Sequence, residues 1–148
     1  YMVDVEENPV DRTLEYSRPF RSLKLWVAFR AHGADAIRGA LEENLKLAEL
    51  LADLVTSTPN LELIVKPQLS IVPFRRVPSY GSIDDHNSAI AKRMQSDGDA
   101  YVTSAIVDGK TVLRPCLTNF RTTEEDIREL LRIIEHTGSQ LEQEAKLG

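Results

Sequence analysis

An Asp-Gly pair at positions 108 and 109, set between two short apolar runs, constrains the fold of this chain more than any other feature. This dipeptide favours the two-residue turn of a β-hairpin, in which both central residues take positive φ. Residues 100–107 and 111–117 are therefore expected to pair as antiparallel strands. The turn also fixes which side chains share a face. We expect Leu113 to pack inward under helices and Arg114 to emerge on the opposite face.

Apolar side chains recur at helical spacing in the first half of the chain. Between residues 34 and 55 they fall at steps of three or four, at Ile37, Leu41, Leu45, Ala48, Ala52 and Val55. This stripe predicts one face of a long helix. An earlier apolar run at residues 22–29 also suits a helix, and Gly33 interrupts the chain between the two.

Shorter elements follow the long helix. Alternating apolar residues predict strands at 61–66 and 69–75. Pro73 marks the second of these as an edge strand or as the site of a bulge, because proline cannot donate to a strand ladder. A helix is expected at 84–96, with three inward residues: Ile90, Ala91 and Met94.

A closing helix is predicted after a capping box formed by Thr122 and Glu125. The resulting order is helix, strand, strand, helix, strand, strand, helix. This order predicts an α+β fold, in which a small, mostly antiparallel sheet is covered by helices.

The composition excludes several classes of protein. A chain of 148 residues forms one domain, or one domain with a tail, and can bury a core without disulfides or structural metals. A net charge of −5, with scattered Lys and Arg, argues against nucleic acid or an anionic membrane as a partner. The single cysteine, Cys116, predicts a reducing, cytoplasmic setting. No membrane-spanning run and no signal peptide are visible.

A self-contained catalytic or metal site is not expected. His32, His86, His136 and Cys116 are not spaced as metal ligands, so ordinary surface or packing roles are predicted for them. Cys116 is expected to be a small buried residue of a strand. The seven glycines are dispersed and form no phosphate-binding loop.

Two basic clusters carry the strongest chemical signal. Arg18, Arg21 and Lys24 surround a phenylalanine, and Arg114 and Arg121 flank the end of the last strand. An arginine cannot lose its charge, so one that faces inward from a sheet needs an anion. An ion pair with one of the chain's own carboxylates and contact with an anionic ligand are the two alternatives. Spacing alone favours the ion pair.

Three segments, in order along the chain, resemble the group II pyridoxal-phosphate-dependent amino-acid decarboxylases. They read SRPFRSLKLWVAFRAHGADAIRGALEENLKLAELLADLV, then LELIVKPQLSIVPFR, then DGKTVLRPCLTNFRTTEEDIRELL. The last is similar to the family's strand, turn and helix, with an LR-x-C-x-x-N-x-RTT pattern. That family includes aromatic-L-amino-acid, tyrosine, histidine, glutamate and diaminobutyrate decarboxylases.

The resemblance implies the C-terminal portion of a fold-type-I pyridoxal 5'-phosphate enzyme that acts as a homodimer. Residues 1–21 would be a lid-like loop and connection from a large cofactor-binding domain, and residues 22–148 the C-terminal small domain. Within the first of these, residues 3–15 match the mobile loop of the family. The Schiff-base lysine follows a histidine in the family, and this chain has no His-Lys pair.

The implied activity is a carboxy-lyase that removes the α-carboxylate of an L-amino acid as CO2. This segment would supply substrate, lid and dimer contacts, and alone it is predicted to be inactive. Arg114 matches the family arginine that contacts the substrate carboxylate in some members. Further candidates for the site or an interface are Arg18, Arg21, Asn119 and Arg121. The alternatives are a stand-alone small-ligand-binding or dimerisation module, and part of a related pyridoxal-phosphate lyase or aldehyde synthase.

Overall fold

The structure of the protein, a computed structural model, describes residues 19–98 and 100–147. The chain forms two compact units, Tyr1–Ile37 and Arg38–Gly148. The elements, in chain order, are helix α1 (Ser22–Ser57), strands β1 (Leu61–Leu63) and β2 (Phe74–Arg76), helix α2 (Ile83–Asp97), strands β3 (Thr103–Val107) and β4 (Lys110–Arg114), and helix α3 (Glu124–Leu147). None of the helices in this described part of the chain is both long and apolar enough to cross a membrane.

Helix α1 is broken at Gly33, as the sequence predicted. Gly33 has φ 78° and ψ 163°, a conformation outside the helical region that a residue with a Cβ rarely adopts. In the first unit, residues 22–37 are helical on both sides of this break. The large apolar side chains here, and that of Phe20 just before the helix, are exposed, at Phe20, Leu23, Leu25, Trp26, Val27 and Phe29.

In the second unit, the buried face of α1 differs from the predicted stripe. The buried residues are Asn44, Leu47, Ala48, Leu51, Ala52 and Val55. The prediction that Leu41 and Leu45 point inward was wrong, since 60% of Leu41 and 37% of Leu45 are exposed. Leu41 lies on the buried face but one turn before Asn44, where the packing against the core begins. Leu45 directly follows Asn44 and lies at the edge of the buried face. Periodicity alone therefore fixes neither where along a helix burial starts nor how wide the buried face is.

The four strands form one antiparallel sheet in the order β1-β2-β4-β3. Phe74 of β2 pairs with Leu63 of β1 and with Leu113 of β4. β2 therefore lies inside the sheet, and its register with the β4 segment is the same at Ile71 and at Phe74, so both the edge strand and the bulge expected at Pro73 were wrong. Pro73 precedes the strand, where its carbonyl still accepts from the Ile64 N–H, so the missing proline N–H does not interrupt the ladder.

A single apolar core joins one sheet face to all three helices. Leu61, Phe74 and Leu113 line this face of the sheet and are buried. The helical members of the same core include Leu47, Leu51, Val55, Ile90, Ala91, Met94, Ile127, Leu131 and Ile134. The inward residues predicted for α2 are confirmed, and so is the α+β fold class.

The tight hairpin is also confirmed. Asp108 and Gly109 have φ 49° and 75°, the positive values that the two central residues of this turn require. Leu113 is fully buried in the core, and Arg114 lies on the opposite face, opposite Thr103 of β3. The predicted faces of Leu113 and Arg114 are therefore confirmed, whereas the strands are shorter than predicted, at 103–107 and 110–114 instead of 100–107 and 111–117.

Two local predictions need correction. The cap of α3 is one residue later than expected: the Asp126 N–H donates to the Thr123 hydroxyl, and the Thr123 N–H donates to the Asp126 carboxylate. Cys116 is exposed rather than buried. It lies beyond β4, bridged to Ile71, and the alternation of the strand gives it the side of Arg114.

Candidate functional site

The sheet face opposite the core carries charged side chains, and we call it the polar sheet face. Its polar members are Glu62, Arg75, Lys110, Arg114 and Thr103, and the fully buried Val112 lies on the same face between Lys110 and Arg114. Strand alternation and register bring them together: Glu62 pairs with Arg75 and Thr103 pairs with Arg114.

On the polar sheet face, Glu62 is the ion-pair partner of two of the cations. Its Oε2 accepts from Arg75 at 2.8 Å, and its Oε1 lies 3.3 Å from the Lys110 Nζ. The hydrogen bond from Arg75 is the largest influence on the pKa of the Glu62 carboxyl and, with Lys110, keeps it below its usual value despite partial burial. Arg75 and Lys110 therefore have their anion within the sheet.

Arg114 differs from these two cations. It is half-buried, and its Nη2 donates to the Thr103 hydroxyl at 3.4 Å. Among the residues that the structure describes, no carboxylate lies within ion-pair distance of its guanidinium. The internal ion pair that spacing favoured therefore does not form with the described residues. The planar set of N–H donors of the guanidinium, its fork, is available to an anion from outside the chain.

The other predicted site residues are not gathered around Arg114. Asn119 and Arg121 form a turn between β4 and α3, in which the Asn119 Oδ1 accepts from the Arg121 N–H at 3.0 Å. Both are exposed, and the Arg121 guanidinium lies 5.3 Å from the centre of the Phe120 ring. Arg21 is exposed in the first unit. Arg18 and the predicted lid at residues 3–15 lie outside the described residues.

A second cluster, which we call the buried arginine cluster, lies between β2, α2 and α3. Only 6% of the Arg76 side chain is exposed, and its Nη1 contacts both the Glu142 carboxylate and His86 Nε2, the latter at 2.9 Å. Its Nε lies 3.5 Å from Glu135, and its Nη2 donates to Ser139 at 3.3 Å. A buried guanidinium of this kind is tolerated because several acceptors surround it.

Two further features accommodate Arg76: Asn87 binds its backbone, and Gly138 of α3 leaves space for its side chain. The Asn87 side chain accepts from the Arg76 N–H and donates to the Arg76 carbonyl, both at 2.8 Å, so it replaces a neighbouring strand. A Cβ at Gly138 would lie 2.5 Å from the Arg76 Cδ. Glycine at this point of α3 therefore makes room for the arginine.

Sequence reasoning missed the buried arginine cluster. The available signal was that Arg76 follows Phe74 by two residues and must share its inward face. Glycine at 138, inside an amphipathic helix, was the second signal, since a glycine there costs helix stability without a packing reason. In residues 19–98 and 100–147, no group of three or more His, Cys, Asp or Glu side chains could hold a metal ion.

His86 makes the buried arginine cluster sensitive to pH. Arginine has only donors, so the His86 Nε2 that faces Arg76 is an acceptor and the ring is neutral. Burial and then the charge of Arg76 hold the pKa of His86 below its usual 6.5, and Glu142 opposes this only in part.

Acidification is expected to lower the free energy of unfolding of the second unit, because His86 takes up a proton more readily in the unfolded chain than in the folded one. The unfolded chain takes up a proton near pH 6.5 and the folded chain resists it, so stability falls as the pH drops from 6.5 towards the lowered pKa and then levels off. Urea unfolding of wild type and His86→Gln across this range measures the step. The variant should lose it, whereas the matched variant of the exposed His136, His136→Gln, should keep it.

The comparisons with known proteins agree with the resemblance read from the sequence. The pyridoxal-dependent decarboxylase conserved domain matches residues 1–77. An aromatic-L-amino-acid decarboxylase from Bacillus atrophaeus is 32% identical over 133 residues, which cover 87% of this chain and 28% of that protein. A phenylacetaldehyde synthase from Arabidopsis thaliana is 29% identical over 134 residues, which cover 88% of this chain and 27% of that protein.

Solved structures show the same fold. The glutamate decarboxylase domain of a Vibrio parahaemolyticus diaminobutyrate-pyruvate transaminase and L-2,4-diaminobutyrate decarboxylase matches with a TM-score of 0.77 and 28% identity, covering 82% of this chain and 26% of that one. Tryptophan decarboxylase from Catharanthus roseus matches with a TM-score of 0.73 and 28% identity, over 83% of this chain and 27% of that one. The chain thus spans about a quarter of the length of its relatives, and it belongs to the family of pyridoxal-dependent decarboxylases.

Proposed function

We propose that this chain is part of a pyridoxal-phosphate-dependent carboxy-lyase that removes the α-carboxylate of an L-amino acid as CO2. The family match over residues 1–77 is the observation that carries this proposal. The chain's share of the reaction is to contact the substrate, to contribute to the lid and to form dimer contacts. We further propose that the intact enzyme is cytoplasmic, which the single cysteine of this chain supports, and that it is a homodimer, as the family resemblance implies.

The residues of this chain do not fit the cofactor itself. Pyridoxal phosphate, when bound, supplies the electron sink for loss of CO2, and it needs a lysine held in an enclosed site. The chain's lysines are Lys24, Lys46, Lys66, Lys92, Lys110 and Lys146. Five are exposed, Lys110 is paired with Glu62, and none follows a histidine. Under this proposal, the cofactor lysine and most cofactor contacts belong to a cofactor-binding domain upstream.

We assign the substrate carboxylate to Arg114. A half-buried guanidinium is costly without an anion, and no carboxylate among the described residues meets this one. A planar fork suits the two oxygens of a carboxylate better than the point charge of a lysine does. By contrast, Arg75 on the same face is held by Glu62 and has no need of a ligand.

The activity is tested with the full-length enzyme that contains this chain. A panel of L-tyrosine, L-tryptophan, L-glutamate and L-2,4-diaminobutyrate is incubated with the enzyme and pyridoxal phosphate, and released CO2 is measured for each. Release from at least one substrate, with one amine formed per CO2, is the expected result. No release from any amino acid would leave the stand-alone ligand-binding or dimerisation module as the better hypothesis.

An aldehyde synthase is the second candidate, because a phenylacetaldehyde synthase is nearly as similar to the chain as the decarboxylases are. The same assay separates the two functions. An aldehyde and ammonia in place of the amine, with consumption of oxygen, would identify the synthase.

Replacing Arg114 by lysine in the intact enzyme is expected to lower kcat/KM for the preferred amino acid. The fall should correspond to a loss of about 1.5–3 kcal/mol in transition-state stabilisation, the range for a hydrogen bond to a charged group. Lysine keeps the charge but loses the fork. Cofactor absorbance should be unchanged, since Arg114 is assigned to the substrate. Steady-state kinetics with the best substrate of the panel measures the loss.

Arg75→Lys is the matched control, because Arg75 lies on the same sheet face but already has Glu62 as its partner. This control should leave kcat/KM close to that of wild type. If Arg114→Lys leaves the kinetics unchanged and only lowers the melting temperature, Arg114 has a structural role and the assignment is wrong.

A further inference from the structure

We propose that Thr103 is a positioning residue that orients Arg114 towards the substrate carboxylate. The proposal rests on the assignment of Arg114 and extends it to a residue that neither the sequence pattern nor the family resemblance singled out. Thr103 is the first residue of β3 and the direct cross-strand partner of Arg114. Its hydroxyl is the hydrogen-bond partner of the Arg114 side chain among the described residues.

The geometry determines the direction of this contact. The guanidinium has five N–H donors and no acceptor, so the Thr103 Oγ1 accepts from Nη2, at 3.4 Å. This distance is long for a hydrogen bond, so the contact is weak, and its effect is to orient the Arg114 side chain. One N–H of the fork is used, and the remaining donors stay available for the two oxygens of a carboxylate.

Thr103 is itself held in place. The side-chain amide of Gln95 on α2 donates to the carbonyl of Val102 at 2.7 Å and so anchors the chain where β3 begins. Val102 is buried in the core, which fixes the same point from the other side. The β-branched side chain of threonine also has few rotamers in a strand. The acceptor therefore stands at a fixed position on the polar sheet face.

Fixing Arg114 before the substrate arrives has a measurable benefit. A free arginine side chain loses rotamer freedom when it clamps a carboxylate, and this loss weakens binding. Holding the guanidinium beforehand reduces the loss, so Thr103 should act on substrate binding rather than on the bond-breaking step. Its removal should raise KM and leave kcat close to wild type.

The test uses Thr103→Val in the full-length enzyme, because valine keeps the shape of threonine and lacks the acceptor. KM for the best amino acid of the panel is expected to rise about three- to tenfold, the effect of one modest hydrogen bond, with kcat unchanged. Thr103→Ser restores a hydroxyl and should restore KM. Thr111→Val is the matched control, because Thr111 lies in the same hairpin and on the other face of β4.

A double variant, Thr103→Val with Arg114→Lys, completes the experiment. If the hydroxyl acts through the arginine fork, the double variant should be no worse than Arg114→Lys alone. Loss of activity in Arg114→Lys with an unchanged KM in Thr103→Val would overturn the positioning role and leave the assignment of Arg114 intact. Unchanged kinetics in both single variants would overturn both. A rise in KM for Thr103→Val that Thr103→Ser does not reverse would also overturn the positioning role of Thr103, since lost packing would then be the cause.

Discussion

Replacing Arg76 by alanine is expected to destabilise the Arg38–Gly148 unit by about 3–5 kcal/mol, the cost of breaking a buried ion pair by removing one partner. The guanidinium is almost fully buried and contacts Glu142, Glu135, His86 and Ser139. Alanine would leave the Glu142 carboxylate, itself only 12% exposed, without its cation. It would also open a space beside Gly138, where the arginine side chain now packs.

Urea unfolding of the chain, followed by far-ultraviolet circular dichroism, measures this loss. Arg93→Ala is the matched control, because Arg93 also links α2 to α3, through Glu144, but both side chains of that pair are well exposed. An exposed pair contributes about 0.2–1 kcal/mol, so the control should change stability far less. Equal losses in the two variants would mean that burial does not set the strength of the Arg76 interactions.

A third variant separates charge from packing. In Arg76→Met with Glu142→Leu, both charges of the buried pair are removed together and apolar groups take their place. Such replacements are often neutral or stabilising, so most of the loss seen with Arg76→Ala should be recovered. A double variant as unstable as Arg76→Ala would assign the loss to packing and not to the unpaired Glu142 carboxylate.

The position of Arg114 could be predicted from sequence because two local rules agree there. The Asp108-Gly109 turn sets the register, and strand alternation then assigns Leu113 and Arg114 to opposite faces. Neither rule depends on distant parts of the chain. The pairing of Thr103 with Arg114 follows from the same register. The hydrogen bond between the two side chains could not be predicted, because it depends on the conformations of both side chains.

The buried arginine cluster was harder to predict for a different physical reason. Arg76, His86 and Glu142 come from β2, α2 and α3, and only the tertiary packing of these elements brings them together. The extent of burial along α1 was missed on similar grounds. Periodicity identifies a helical face, but the end of the core at Asn44 is set by neighbours remote in sequence.

The polar sheet face and the buried arginine cluster lie on opposite faces of the sheet and have different roles. β2 presents Arg75 to one face and Arg76 to the other, and each is paired with acidic side chains of the chain itself, Arg75 with Glu62 and Arg76 with Glu142. β4 presents Leu113 to the core and Arg114 to the polar sheet face, and among the described residues the hydrogen-bond partner of the Arg114 side chain is the Thr103 hydroxyl. A sheet fixed on its helical side by the buried arginine cluster is a rigid support for Arg114, which the proposed carboxylate contact requires.

Phe74→Ala is expected to destabilise the second unit by about 3–5 kcal/mol, the range for removing a buried aromatic side chain. Phe74 is fully buried and lies opposite both Leu63 and Leu113, so its ring fills the centre of the sheet's core face. Alanine would leave a cavity that three paired strands cannot close without losing their hydrogen bonds. Phe120→Ala is the control, since 72% of Phe120 is exposed, and it should stay within about 1 kcal/mol of wild type in the same urea titration.

Because Phe74 supports Leu113 directly, the Phe74→Ala loss should be smaller in a Leu113→Ala background, and additive losses would contradict the packing described between β2 and β4.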